Sequence, residues 1–313
     1  MFLATNSTVV RMLALLISTA GTMGVVSNTH TSSHYATSER RWVNKALTYL
    51  GFPFFVQLSA TYWWNKHLIA HHPAPNVYGA DQDVDLWPFF SITKEQVEQR
   101  SGIRRLYLKV QWLVIPVALA ANAFSMQVQG WRYVLRALCD GDRRGTQHWM
   151  DVGAMLCHWL AWIAVPSMFL PVSHVLELYV LRMICLGYAL FFVLAPAHFP
   201  AEAICVEQGT HTRDFVMSQT AATVNFRTRL LGRMLCSGLE YQIEHHLFPG
   251  MSHVHYPKVS ALVKQFCESN GYPYRTLGWG EAIWKCLLVF RTPKSVEPSF
   301  DVFQLGGRAN GSR

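Results

Sequence analysis

Residues 67–72 read HLIAHH, and residues 242–246 read QIEHH. In the first stretch His67 and His71 stand four apart with His72 beside them; in the second, Gln242 stands three before His245 and four before His246. On a helix, positions i and i+4 share a face with about 5–6 Å between them, so His67 and His71 can reach one ion. The adjacent second histidine of each pair points to another side and can reach a second ion nearby. His30 and His34 form a further i, i+4 pair just past the first apolar segment, and His198 closes the last one. Imidazole suits iron, zinc or copper.

A single HxxxH is weak, because two surface or core histidines at that spacing are common. The recurrence decides the reading, since each box lies beside the end of a hydrophobic segment or in the polar region near the C-terminus. His148, His158, His174 and His211 lack such spacing and are read as structural or solvated. His253 and His255 follow the third box and have no assigned role. The ligand set is therefore His30, His34, His67, His71, His72, His198, His245 and His246, with Gln242 a ninth, weaker donor. Eight imidazoles match two ions with four or five protein ligands each, whereas a zinc hydrolase needs about three ligands and a water. An all-imidazole set also differs from the soluble di-iron bundles, which rest on Glu and ExxH motifs.

The chain around these boxes avoids charge. Charged residues make up 15% of the 313 positions, against roughly 25% in soluble domains, and apolar runs cover about 9–28, 44–64, 107–127, 152–172 and 175–197. A spanning helix needs about 20 such residues. Arg11 and the run after it have the look of a signal peptide, but the first box begins only two residues beyond that run. Residues 44–64 carry Gly51 and Pro53 and read as interfacial or re-entrant. Residues 73–104 and 205–313 are polar or mixed and read as a cap.

One site built from all the boxes requires every box on one side of the membrane. An even number of crossings must separate His34 from His67, so 44–64 stays on one side. Three apolar runs lie between His72 and His198, so one of them stays as well. The tight 152–197 hairpin is expected to supply two crossings. That leaves 107–127, approached through Arg104, Arg105 and Lys109, as the interfacial helix. The clusters Arg40-Arg41, Arg104-Arg105 and Arg227/Arg229/Arg233 then fall on the histidine side, which the positive-inside rule makes cytoplasmic. The expected fold is all-α and integral to the membrane, with about three spanning helices, interfacial helices and a cytoplasmic helical cap holding the metal site. Residues 1–292 read as the membrane domain. Residues 293–313, with Pro293, Pro298 and a Gly/Asn/Ser-rich end, read as a disordered tail.

The net charge of +8 does not point to nucleic acid, since the basic residues flank apolar segments and fit anionic headgroups. Seven scattered cysteines without CxxC spacing indicate neither a disulfide framework nor a zinc knuckle.

Taken together these residues resemble the membrane fatty acid desaturase family, especially its front-end branch of linoleoyl-CoA-like and sphingolipid enzymes. The resemblance runs from about residue 12 to about 275. HLIAHHPAPNVYGADQDVD at 67–85 is similar to the family's second box with its Pro-Asn and acidic run. GLEYQIEHHLFPGMSHVHYP at 238–257 is similar to the third, with Gln242 in the place of the first histidine as in the front-end branch. Ala197-His198 before Glu202 is similar to the family's extra histidine, and Gln219–Phe226 to its Gln…Thr…Asn-Phe run. Three departures stand out. Thr31 replaces the usual Asp of the first box, which would support a ligating imidazole from behind. The family usually has another membrane helix before the one ending at His30, and no such segment is read here. No His-Pro-Gly-Gly haem motif occurs, so a fused cytochrome b5 domain is not expected.

What the resemblance implies is a di-iron oxygenase that uses O2 to desaturate a lipid acyl chain carried by CoA, acyl-carrier protein or a lipid. Two electrons would come from a separate donor, cytochrome b5 or ferredoxin with its reductase. Asp81, Asp83, Asp85, Glu240 and Glu244 are candidates to hold ligating histidines, or are ordinary loop acids. A hydroxylase, ketolase or acetylenase on the same scaffold is the nearest alternative. A non-enzymatic metal-binding membrane protein is more distant, because a transporter places its ligands within spanning helices near mid-bilayer.

Overall fold

Helices form where the apolar runs are long, and they break where Pro, Gly or a left-handed residue interrupts them. A computed structural model describes residues 7–86, 88–209 and 214–300. The main helices are α1 (Thr8–Ser33), α2 (Arg41–Tyr49), α3 (Ala60–Trp63), α4 (Gly102–Ala118), α5 (Asn122–Cys139), α6 (Thr146–Trp159), α7 (Val172–Leu194), α8 (Phe215–Ala222), α9 (Gln242–Leu247), α10 (Tyr256–Asn270) and α11 (Trp279–Leu288). Short strands are β1 (Val77–Tyr78), β2 (Cys205–Glu207), β3 (Asn225–Arg227), β4 (Thr276–Gly278) and β5 (Val296–Glu297).

Among the described residues three helices are long and apolar enough to cross a membrane: Thr8–Ser33, Gly102–Cys139 and Val172–Ala197. The number agrees with the expectation, but the membership differs. The segment expected to be interfacial, 107–127, lies inside a continuous stretch of 38 residues, because a single 3-10 turn at Leu119–Ala121 joins α4 to α5. The segment expected to span, 152–172, is not among the three. It consists of α6, a π turn at Leu160–Ala164 and a short helix at Val165–Ser167, and its inner face is polar. Asp151 accepts hydrogen bonds from Ala60 N at 2.7 Å, Ser59 Oγ at 2.8 Å and Thr61 N at 3.0 Å. His158 is bonded between the Phe54 carbonyl at 2.6 Å and Tyr179 Oη at 2.9 Å. Between His72 and His198 the candidate crossings still number two, the even count that a one-sided site demands.

Residues 44–64 are too broken to span. α2 runs into a π turn at Leu50–Val56 containing Pro53, and Gln57 then turns left-handed at φ 58° before α3 restarts.

The chain divides into two compact units. The first comprises residues 1–65, 117–191 and 234–237. Here Gly187 lies so near the Leu119 carbonyl that a Cβ would sit 2.4 Å from its oxygen; a side chain at this position would push the helix off its neighbour. Phe52, Val134, Met155, Met183 and Leu186 are buried. Val9, Met12, Leu13, Leu16 and Ile17 of α1 are exposed, the reverse of a soluble helix and what a lipid-facing surface presents.

The second unit comprises residues 66–116, 192–233 and 238–313. Two small parallel sheets tie its segments together. One has the order β1-β2-β5, with Val77 opposite Val206 and Cys205 opposite Val296; the other pairs β3 with β4. The expected tail is thus structured at its start. Residues 301–313 lie outside the described residues, but Lys294 is buried and β5 pairs with β2, because these backbone groups close a sheet edge and Lys294 finds carbonyl partners.

Candidate metal centre

Seven of the nine expected ligands belong to the second unit, and it buries six of them. His67, His71, His198, Gln242, His245 and His246 are buried, and His72 is half-buried. α3 delivers the second box. Ser59 caps its start, accepting from Tyr62 N, and the helix then widens into a π turn over Trp64–His71. The bond from His72 N to the His67 carbonyl, at 3.0 Å, is of the i+5 kind. This changes the partition expected from α-helical spacing. His72 shares a group with His67, because the wider turn brings position i+5 under position i, while His67 also stands with His71 and the Asp83 carboxylate.

Two groups result. In the first, His72 Nε2 lies 3.2 Å from His67 Nε2 and 3.1 Å from His245 Nε2. Ligands at about 2.1 Å from a shared ion stand about 3.0–3.4 Å apart, so these three atoms already have the separation of neighbours in one coordination sphere. In the second group, His71, His198 and His246 place ligand atoms within 4.8 Å of one another. The adjacent pair His245-His246 divides between the groups as expected.

The surrounding polar residues fix which nitrogen each imidazole offers. Asp81 Oδ2 accepts from His71 Nδ1 at 2.8 Å, leaving the His71 Nε2 lone pair for a metal. Burial would lower the His71 pKa, but the Asp81 charge and hydrogen bond, with Asp83, raise it. Burial alone would raise Asp81; the His71 charge and donors from Asp83 N and Asn76 N hold it at about 2. Gln219 Nε2 donates to the His72 carbonyl at 3.3 Å, so its Oε1, 3.0 Å from His246 Nδ1, must be the acceptor. The His246 lone pair is thereby on Nε2. Burial, then the neighbouring His71, lowers His198 to about 3, which keeps it neutral. His198 Nδ1 is buried and finds no hydrogen-bond partner among the described residues. Imidazoles with their lone pairs converging fit a divalent transition ion at each group.

The third box sits on α9. Asn225 Oδ1 accepts from Ile243 N at 2.8 Å, while its Nδ2 donates to Glu244 Oε2 at 2.8 Å. Tyr274 Oη donates to Glu244 Oε1 at 2.6 Å. Glu244 thus anchors the helix rather than an imidazole, and burial raises its pKa. Glu240 binds Gly238 N at 3.0 Å, Asp85 accepts from Gln96 at 3.0 Å, and Asp83 pairs with Lys66 at 2.7 Å. Of the five acids considered, Asp81 is the one hydrogen-bonded to a ligating ring. Gln242 opens α9 and is buried. Tyr256 Oη bonds His245 Nδ1 at 3.2 Å.

In the first unit His30 and His34 occupy the end of α1, both buried, with ring centroids 4.9 Å apart. Ser33 Oγ donates to the His30 carbonyl at 2.7 Å and accepts from Trp63 Nε1 at 3.0 Å. His148 accepts from Gly145 N at 3.2 Å, and His174 lies 3.8 Å from Glu177; with His158 they are structural or surface residues. His211 lies outside the described residues.

The sequence reading missed Gln219, Asn76 and Tyr256 as supports. Gln219 and Asn76 lie in the quoted runs, but nothing in their spacing says which imidazole or carboxylate they meet.

The family model described as Fatty acid desaturase matches residues 6–278. Among similar proteins, a Delta(5) fatty acid desaturase of Caenorhabditis elegans is 28% identical, covering 85% of this chain and 60% of its own length. A Delta(8)-fatty-acid desaturase of Euglena gracilis is 29% identical, covering 79% and 59%. Human Fatty acid desaturase 3 is 29% identical, covering 69% and 46%. The chain spans about half to three-fifths of the length of these relatives.

Proposed function

This chain belongs to the fatty acid desaturase family, and on that footing we propose that it desaturates a lipid acyl chain in an O2-dependent reaction at a histidine-ligated di-iron centre. The observation that carries the proposal is the sorting of six imidazoles into two groups, with Asp81 and Gln219 turning lone pairs inward. His67, His72 and His245 would hold one ion and His71, His198 and His246 the other. His30, His34 and Gln242 are assigned to the same ligand set from their place in the boxes.

Iron in these positions supplies the oxidising power that removes hydrogen from an unactivated methylene, which no side chain can provide. Two electrons from the acyl chain and two from a separate donor, with two protons taken up, reduce O2 to two waters as one C–C bond becomes a double bond. The chain's own residues orient the ligands, Asp81 holding His71 and Gln219 holding His246, and burial keeps His198 unprotonated. The donor is assigned as cytochrome b5 or ferredoxin with its reductase. The histidine side is assigned to the cytoplasm from the clusters Arg40-Arg41, Arg104-Arg105 and Arg227/Arg229/Arg233.

Expression in a desaturase-deficient host, followed by mass-spectrometric fatty-acid profiling, tests the reading. A new unsaturated product is expected from the wild type and none from His71→Ala or His245→Ala. A hydroxylated or acetylenic product would move the chemistry to another reaction on the same scaffold. A product that survives both substitutions would contradict the ligand assignment.

A further inference from the structure

His71 and His246 are each held from behind, by Asp81 and Gln219, but His198 Nδ1 has no hydrogen-bond partner among the described residues. The direction of its imidazole therefore depends on its main chain. Two side chains hold that main chain. Asn76 Nδ2 reaches the carbonyls of His198 at 3.0 Å, Ile204 at 3.1 Å and Ala203 at 3.4 Å. From the other end of the sequence, Lys294 Nζ donates to the carbonyls of His198 at 2.9 Å, Pro200 at 3.5 Å and Ala203. Asn76 also donates its backbone N–H to Asp81 Oδ2 at 2.9 Å, the same oxygen that holds His71.

Lys294 is 7% exposed, and the hydrogen-bond partners of its ammonium are these backbone carbonyls. A buried ammonium without a carboxylate partner is costly, and a well-packed apolar residue of similar volume is often no less stable. Fold stability alone therefore does not explain a lysine here. Its backbone is pinned on both sides: Lys294 N donates to the Ile92 carbonyl at 3.0 Å, and Lys94 N donates to the Lys294 carbonyl at 2.9 Å. Two residues later β5 pairs with β2. The lysine also lies beyond the family match, which ends at residue 278.

We propose that Lys294 is a positioning residue of the metal centre, fixing the turn from His198 to Ala203 so that the His198 imidazole meets the ion shared with His71 and His246. This rests on the reading of those three histidines as one ligand group. The strap at 292–297 thereby supplies by main-chain grip what Asp81 and Gln219 supply to the other two rings.

The test compares the full chain with Lys294→Met and Lys294→Gln, using iron content by mass spectrometry, Mössbauer spectra of the loaded proteins and thermal unfolding without metal. The Met variant is expected to lose about 10–100-fold in iron affinity at one of two positions. Its other iron signal and its metal-free unfolding should match the wild type. Gln, which keeps an N–H donor, should fall between. A Met variant that loads iron with the wild-type spectrum overturns the proposal alone. Loss of both iron signals together with metal-free stability, in both variants, also overturns it by making the lysine structural. A wild type that binds no metal overturns the ligand reading beneath it.

Discussion

Asp81 carries more of the centre than its place in an acidic run suggests. Its buried carboxylate accepts from His71 Nδ1 and from two backbone N–H groups. In the metal-free protein it is held at about 2, below the ordinary 3.8, while His71 is raised above 6.5. The Asp81 contribution is present in full above pH 3.8 and is lost as the pH falls towards 2. The His71 contribution is present in full below pH 6.5 and is lost as the pH rises through its higher folded value. Asp81→Asn is therefore expected to lower metal-free stability by about 2 kcal/mol between those limits, with the gap closing below pH 3.8. Denaturant unfolding at several pH values measures it. The same variant should bind metal about 10–100-fold more weakly. Spacing points to the histidines proposed as ligands and the resemblance puts Asp81 among five candidate supports, but neither points to Gln219. Gln219 and His72 are 147 residues apart and Gln219 and His246 are 27 apart, so only the folded chain brings them together.

At the scale of elements, two local irregularities do what regular helices would not. The π turn at Trp64–His71 places His72 as well as His71 beside His67; α-helical spacing points to His71 alone, because a sequence does not announce where a helix widens. The close approach at Gly187 is the second. A methyl group there would lie 2.4 Å from the Leu119 carbonyl oxygen, which is backbone and cannot rotate away. Gly187→Ala is expected to cost about 1–3 kcal/mol, read as a lower unfolding temperature in detergent. The parity argument predicted two crossings between His72 and His198, and two helices there are long enough. It chose 152–172 over 107–127 because hydropathy does not reveal that Asp151 and His158 bond inward to Ala60, Thr61 and Phe54.

For the whole molecule, the all-helical membrane character was legible because long charge-free runs have few alternatives in water. The small parallel sheets were not, since strands of two or three residues carry no period to read. They matter because β5 brings the C-terminal strap to β2, and with it Lys294 to the turn after His198. The central claim is that two histidine groups each hold an iron. The most direct measurement is the metal content of the purified wild type beside His198→Ala and His245→Ala. The account predicts two irons in the wild type and about one in each variant, with different residual Mössbauer signals. Zinc alone in the wild type, or iron unchanged by both substitutions, would contradict it.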